Sequence, residues 1–141
     1  MQDLPIGYFI KSINDRLKTK TDSQLKIHDL TMTQGRVLGF IHSKNGQATQ
    51  KEIAEHLQVA HPTVVGIVSR MEKNGFVSCR IDPVDRRSKI VCLTSKADII
   101  GAQLNETIKT NEAKMLTGLT EEDVGNLLKY LSIIYDNLEN I

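Results

Sequence analysis

The feature that most constrains the fold is a pair of short helix patterns separated by a tight turn, between residues 49 and 75. Thr49 and Glu52 have the spacing of a capping box, in which both side chains satisfy free backbone groups at a helix start. Pro62 stands where a second helix can begin, because the first turn does not need its missing N–H. Gly75 stands where that helix can end. The spacing predicts helix, turn and helix.

The second helix has two different faces. Its apolar residues recur at spacings of three and four and predict a buried stripe; they are Val64, Ile67, Val68 and Met71. The opposite face is small, polar and basic, with Gly66 near its centre. Glycine inside a helix costs about 1 kcal/mol relative to alanine, so its presence indicates that another molecule approaches the backbone closely. The major groove of duplex DNA admits a helix in this way.

Two β-rich runs follow, at residues 76–81 and 89–93, and the turn residues between them indicate a hairpin. The connecting loop carries Arg86 and Arg87. A helix-turn-helix followed by a hairpin with arginines at its tip is typical of a winged helix. In that fold the second helix enters the major groove, and the wing lies beside the backbone or in a minor groove.

The chain resembles the MarR family of bacterial transcription regulators over essentially its whole length. The residues that carry the resemblance are Leu-Thr-Met-Thr-Gln at 30–34, Gln-Lys-Glu-Ile-Ala at 50–54, Met-Glu-Lys-Asn-Gly-Phe-Val at 71–77, Asp-Pro-Val-Asp-Arg-Arg at 82–87 and Leu-Thr at 93–94. The wing motif is the most specific piece, since a bare helix-turn-helix is weak evidence. Within the family the chain is loosely similar to regulators of multidrug efflux, from Ile-Gly-Tyr-Phe at 6–9 through Leu-Gly-Phe at 38–40.

The predicted fold class is mainly α with a small β-hairpin wing (α+β), as a single domain over residues 1–141. It consists of a winged helix-turn-helix flanked by N- and C-terminal dimerisation helices. We expect residues 1–29 and 96–141 to supply the dimerisation helices and residues 30–95 to form the DNA-binding part. The resemblance implies a homodimer joined through these end helices, with one winged helix in each subunit.

Apolar and charged patterns in the end segments agree with this division. The last helix pattern carries an apolar stripe from Val124 to Leu138, which has no obvious partner in a small winged-helix core and is interpreted as a dimer interface. The net charge of +1 divides into +3 for residues 1–44, +3 for 45–96 and −5 for 97–141. Because DNA affinity comes largely from neutralised phosphates, we expect the DNA surface on the middle segment, aided by the first.

The wing motif predicts one set of DNA contacts. In the family's Asp-x-Arg pattern, matched here by Asp85, Arg86 and Arg87, the arginine enters the minor groove and the aspartate holds it in place. A narrow minor groove concentrates negative potential and attracts arginine. The alternative is a solvated turn charge beside the DNA.

The recognition helix predicts a second set. By family correspondence and outward position its members are His61, Pro62, Thr63, Val65, Gly66, Ser69, Arg70 and Lys73. The chain departs from the family here, because Val65 stands where Thr is frequent and Gly66 where Arg or another larger residue is frequent. Thymine methyls, backbone or water could replace the missing hydrogen bonds. Partial burial remains the alternative for Val65, and solvated surface charge the alternative for Arg70 and Lys73.

The resemblance also implies a small aromatic or lipophilic effector, bound in a cleft between the dimer helices and the winged helix. The residues expected near such a cleft are Tyr8, Phe9, Arg16 and His28, although core packing is the alternative for the aromatic pair. The predicted function is a homodimeric, sequence-specific transcription regulator. It is interpreted as a repressor that the effector releases from a pseudo-palindromic operator.

Two other functions remain open. Cys79 and Cys92 lie on opposite arms of the hairpin and could form a thiol-based redox sensor, although free cysteines are commonly just packed. A winged helix can also serve as a protein-interaction module without DNA.

The sequence predicts no enzyme, metal or cofactor. It has no Gly-rich phosphate loop, nucleophile motif or recognisable carboxylate pair. The histidines lack metal-ligand spacing; they are His28, His42, His56 and His61. No apolar run approaches membrane-spanning length and the first residues do not resemble a signal peptide, so we expect a cytoplasmic protein without a membrane partner.

Overall fold

The chain is described here by a computed structural model that covers residues 3–141, so the first two residues of the expected dimerisation segment 1–29 lie outside the described residues. The elements are α1 (Ile6–Ile27), α2 (Met32–Ser43), β1 (Gln47–Thr49), α3 (Gln50–Leu57), α4 (His61–Lys73), β2 (Val77–Ile81), β3 (Lys89–Leu93), α5 (Ser95–Met115) and α6 (Glu121–Leu138). The chain divides into two compact units, and the division falls between Leu104 and Asn105, within α5. The predicted mainly α class with a small β wing is confirmed.

Local sequence signals fix most helix ends. Each of the helices α2, α3 and α6 begins with a complete capping box; the pairs are Thr31 with Gln34, Thr49 with Glu52, and Thr120 with Asp123. Helix α4 begins at His61, one residue before Pro62, so the proline still occupies the first turn. Gly75 follows α4 with a φ of 80°, a left-handed conformation that glycine adopts without strain.

The wing belongs to a three-stranded antiparallel sheet in the order β1-β3-β2. Strand β1 was not predicted from the sequence. Its three residues pair with β3 in the register Gln47 to Cys92 through Thr49 to Ile90. A strand this short shows no alternation in sequence, and it forms because β3 offers a free edge. The strand thereby fixes the wing to the start of α3.

The first unit is built around one hydrophobic core to which α1 through β3 and the start of α5 contribute. Its largest fully buried side chains are Phe76, Ile41, Ile53, Met71, Val37, Val64, Val68, Val77 and Val91. The second unit contains the end of α5 and all of α6, and none of the α6 residues is buried.

Candidate nucleic-acid interface

Helix α4 presents its predicted buried stripe to the core and its other face to solvent. Val64, Val68 and Met71 have at most 1% of their surface exposed, and Ile67 is half-buried against the same core. All eight predicted contact positions on this helix are exposed; they are His61, Pro62, Thr63, Val65, Gly66, Ser69, Arg70 and Lys73. The fold therefore leaves the whole candidate surface of the helix free.

Two residues in the middle of this surface are unusual. Val65 is 41% exposed and is absent from the side chains that pack against the core. A Cβ atom added at Gly66 would meet no atom within 4 Å, apart from the helix's own backbone. The protein's own packing therefore does not require glycine at this position.

The wing tip is shaped by two aspartates that bond to the backbone two residues ahead. Asp82 Oδ1 accepts the N–H of Val84 at 2.9 Å, and Asp85 Oδ1 accepts the N–H of Arg87 at 3.1 Å. Such Asx turns mimic a backbone turn and fix the loop. The aspartate thus holds the backbone of Arg87, and Arg86 and Arg87 are both exposed at the tip.

The C-terminal end of α4 is fixed by contacts that the sequence analysis did not identify. Lys96 Nζ donates to the carbonyl of Asn74 at 2.7 Å and lies 4.5 Å from the centre of the Phe76 ring. The hydroxyl of Thr94 donates to the carbonyl of Gly75 at 2.5 Å and also contacts that of Phe76 at 3.2 Å. These contacts fasten the turn after the recognition helix to the start of α5. Their only sequence signal is the Leu-Thr pair of the family resemblance.

The wing is also bonded directly to the recognition helix. Glu72 Oε2 accepts the backbone N–H of Cys79 at 3.0 Å. The carboxylate lies in the last turn of α4 and the N–H belongs to β2, so this hydrogen bond joins the helix to the wing. This contact orients the wing relative to the helix.

The two cysteines do not form a pair. In the hairpin register Cys79 lies opposite Val91 and Cys92 lies opposite Ser78, and successive strand residues point to opposite faces of a sheet. Both thiols are free and half-buried. Burial, and then the nearby Glu72 carboxylate, raise the pKa of Cys79 to about 11. This thiol is therefore protonated at neutral pH, the opposite of what a reactive cysteine needs.

The four residues expected near an effector do not surround one cleft in a single protomer. Tyr8 and Phe9 pack edge to face with ring centres 6.2 Å apart at the start of α1, whereas His28 caps its other end. At 1.5 Å per residue these ends are roughly 30 Å apart. A solvent-open cleft of about 510 Å³ lies instead between α1 and α2. It is lined by Lys18, Thr19, Asp22, Met32, Thr33 and Arg36.

Within residues 3–141, no three His, Cys, Asp or Glu side chains are grouped so that they could hold a metal ion. In the same part of the chain no helix combines the length and the apolar character needed to cross a bilayer.

The fold and the comparisons with known proteins indicate the class of this protein and the family that it resembles. The two structural features described above, an exposed helix in a helix-turn-helix and a shaped basic wing, define a winged-helix transcription regulator. A family model described as the MarR family matches residues 28–88. The chain is similar to this family over those residues.

Solved structures extend the likeness to nearly the whole chain. MepR of Staphylococcus aureus, described as a transcription regulator of the multidrug efflux pump MepA, is 26% identical with a TM-score of 0.83; the match covers 96% of this chain and 99% of that one. A single-residue variant of S. aureus MepR matches with 25% identity, the same coverage and a TM-score of 0.85. A MepR–DNA complex, also from S. aureus, matches at 24% identity and a TM-score of 0.74, again over 96% and 99% of the chains.

Proposed function

We propose that this protein acts as a homodimeric, sequence-specific regulator that represses transcription from a pseudo-palindromic operator and is released by a small molecule. The observation that carries the proposal is the pairing of an exposed recognition helix with an ordered basic wing tip. The helix would enter the major groove, and Arg87 would reach a minor groove. The proposed contact set comprises the eight exposed α4 positions together with Asp85, Arg86 and Arg87.

A complex of the similar protein MepR with DNA supports this assignment. So does the charge distribution, because the segment containing the helix and wing has a net charge of +3 while residues 97–141 have −5. Positive residues that neutralise phosphates supply most of the sequence-independent affinity for DNA. The division into a DNA-binding part, 30–95, and dimerisation segments on either side is part of the same proposal.

Exposed apolar side chains on the end helices support the homodimer. On α1 these are Ile6, Ile10, Ile13 and Leu17, each between 40% and 65% exposed. On α6 they are Leu127, Leu128, Leu131, Tyr135 and Leu138, each between 38% and 68% exposed. Contiguous apolar surface of this kind marks an interaction site. A two-fold dimer would place its recognition helices one DNA turn apart, about 10 bp between half-site centres.

The effector would need a binding site on this protein. The cleft between α1 and α2, at about 510 Å³, has the volume of a small-molecule site. Its lining includes the charged residues Lys18, Asp22 and Arg36. An effector can release DNA only through a difference in its affinity for the two states, typically 1–3 kcal/mol, which changes DNA affinity roughly 5–150-fold.

The experiment that tests the proposal measures duplex binding by the full-length protein as a function of salt. Footprinting on the DNA upstream of its own gene should reveal a protected pseudo-palindrome, and the logarithm of affinity should fall linearly with the logarithm of salt concentration. Light scattering of the same sample should give the mass of a dimer. Absence of salt-dependent duplex binding would favour the protein-interaction alternative, and a strictly monomeric protein would contradict the dimer.

Effector release is tested on the protected fragment with a panel of aromatic and lipophilic compounds. The expected result is weaker DNA binding with at least one of them, and the loss of that response in a Lys18→Ala, Arg36→Ala double variant if the cleft is the site. The thiol-based alternative predicts release by peroxide that a reductant reverses and that Cys79→Ser or Cys92→Ser abolishes. The register of the hairpin and the raised pKa of Cys79 both argue against that outcome.

A further inference from the structure

The base-facing part of the recognition helix lacks the side chains that usually read bases. Base contacts come mainly from the N-terminal part of a recognition helix. Bidentate recognition uses Arg or Lys for guanine and Asn or Gln for adenine, and the first nine residues of α4, His61–Ser69, contain none of these four types. Arg70 is the first long donor, and it stands in the later turns. The N-terminal part of this helix therefore lacks the side chains that form paired hydrogen bonds with purines.

What the same surface does offer is an exposed apolar side chain. Val65 is 41% exposed, is not part of the core, and has a β-branched side chain that a helix surface does not favour. Thr63 and Ser69 supply hydroxyls, which bond to either kind of base and discriminate weakly. In the major groove, apolar side chains contact the C5-methyl group of thymine. That methyl group is the feature of a base pair that best matches Val65.

Gly66 provides the close approach that such a contact needs. It is exposed, and the space above its α-carbon is empty within 4 Å, so a larger residue would fit the folded protein. Glycine also weakens the helix by about 1 kcal/mol relative to alanine. A bare backbone beside Val65 lets the helix lie deeper against the base edges, where a methyl-to-methyl contact becomes possible.

We propose that each operator half-site presents a thymine whose C5-methyl group packs against Val65 while the backbone at Gly66 approaches the neighbouring base edge. This inference rests on the proposed function and adds the base that the helix reads. The occupant of the contact is a thymine methyl of duplex DNA. It is recognised by apolar packing rather than by a hydrogen-bond pair.

The test begins with selection of duplexes from a randomised library by the full-length protein. Each thymine of a selected duplex is then replaced in turn by uracil, which keeps every hydrogen-bonding group of thymine and lacks only the methyl. Removing one buried methyl corresponds to about 0.8 kcal/mol, or about a fourfold loss of affinity. We expect this loss at one thymine in each half-site, and a loss of about 15-fold when both are replaced.

Val65→Ala identifies the protein side of the contact. The variant should bind the thymine duplex about as weakly as the unaltered protein binds the uracil duplex, and uracil replacement should then have no further effect. Val59→Ala serves as the matched control, because Val59 lies in the turn before α4 with a similar exposure of 38%. This control should remain fully sensitive to uracil.

Gly66→Ala tests the close approach separately. The added methyl should raise the melting temperature, because alanine favours a helix, and should weaken operator binding. Gly39→Ala is the matched control, since Gly39 lies in α2 and also has no atom within 4 Å of an added Cβ. It should raise the melting temperature without weakening DNA binding.

The outcomes separate this inference from the proposed function. If the protein binds its selected duplexes with the expected salt dependence but no uracil replacement weakens binding, the methyl contact is overturned and the regulator assignment stands. The same holds if Val65→Ala remains as sensitive to uracil as the unaltered protein. If the protein selects no duplex at all, both the inference and the proposed function fail.

Discussion

The two compact units of this chain differ in how far their apolar side chains are buried. In the unit that ends at Leu104, side chains such as Ile53, Val64 and Phe76 have at most 1% of their surface exposed. In the unit from Asn105 to Ile141, not one residue of α6 is buried, although that helix is rich in leucine. Burying such a side chain contributes about 1.5–3 kcal/mol. The comparison indicates that the first unit holds its structure with its own core, while the second leaves its apolar stripe exposed for the proposed dimer.

The largest expected effect comes from placing a charge in the apolar stripe of α6. Leu131→Glu should convert the dimer to monomer, because a buried carboxylate without a partner is strongly unfavourable. Losing the linkage between two half-site contacts should lower operator affinity roughly 100- to 10,000-fold. Light scattering and a fluorescence-anisotropy titration measure the two effects on the same sample.

Asn126→Glu provides the control for this change. Asn126 is exposed on the same helix outside the leucine stripe, and the substitution adds the same single negative charge. It should leave both the mass and the operator affinity nearly unchanged. Equal behaviour of the two variants would show that α6 does not form the dimer interface, and the comparison between the units would fail.

The next effect tests whether each unit is stabilised by its own core or by association between copies of the chain. Ile53→Ala removes a fully buried side chain from the first unit and should lower the free energy of unfolding by about 2–5 kcal/mol. Leu128→Ala, at a position 63% exposed in the chain, should lower stability through weaker association. Urea unfolding at several protein concentrations distinguishes the two, because only a change in association depends on concentration.

A smaller effect tests the exposed surfaces of the two units. Arg87→Ala at the wing tip should weaken operator binding by about 1–3 kcal/mol, because it removes a guanidinium from the minor groove. Lys129→Ala is the control, since Lys129 is an exposed basic residue on α6. Its removal should not change the affinity. Loss of affinity with Lys129→Ala, or none with Arg87→Ala, would contradict the assignment of DNA contact to the first unit.

Local signals explain how much of this molecule could be predicted from sequence. The capping box at Thr49 and the glycine at 75 act over a few residues, so they predicted helix ends directly. Strand β1 could not be predicted, because its three residues are held by pairing with β3, more than forty residues away in sequence. The exposed face of α4 followed from helical periodicity.

The contacts that hold the candidate interface in place depend on tertiary packing. Lys96 reaches the carbonyl of Asn74, and Glu72 reaches the backbone of Cys79, only after the wing has folded against α4. The possibility that Cys79 and Cys92 are neighbours depended on a hairpin register, and a shift of one residue puts them on opposite faces. Periodicity and motif spacing carry no information on these points.

The smallest expected effect tests whether the packing of the first unit excludes water from the inner face of its sheet. Burial and the Glu72 carboxylate raise the pKa of Cys79 to about 11, from an ordinary value of 9.0. A raised thiol pKa means that the reactive thiolate forms only at higher pH, so at pH 8 its fraction falls from about 10% to about 0.1%. Alkylation by iodoacetamide should therefore be roughly 100-fold slower in the folded protein than in urea, and should accelerate with pH up to about 11. Tryptic peptides 74–80 and 90–96 report Cys79 and Cys92 separately by mass spectrometry. Equal rates for Cys79 in the folded and unfolded protein would mean that the sheet's inner face is open to water, and the first unit would then resemble the second more closely than its core indicates.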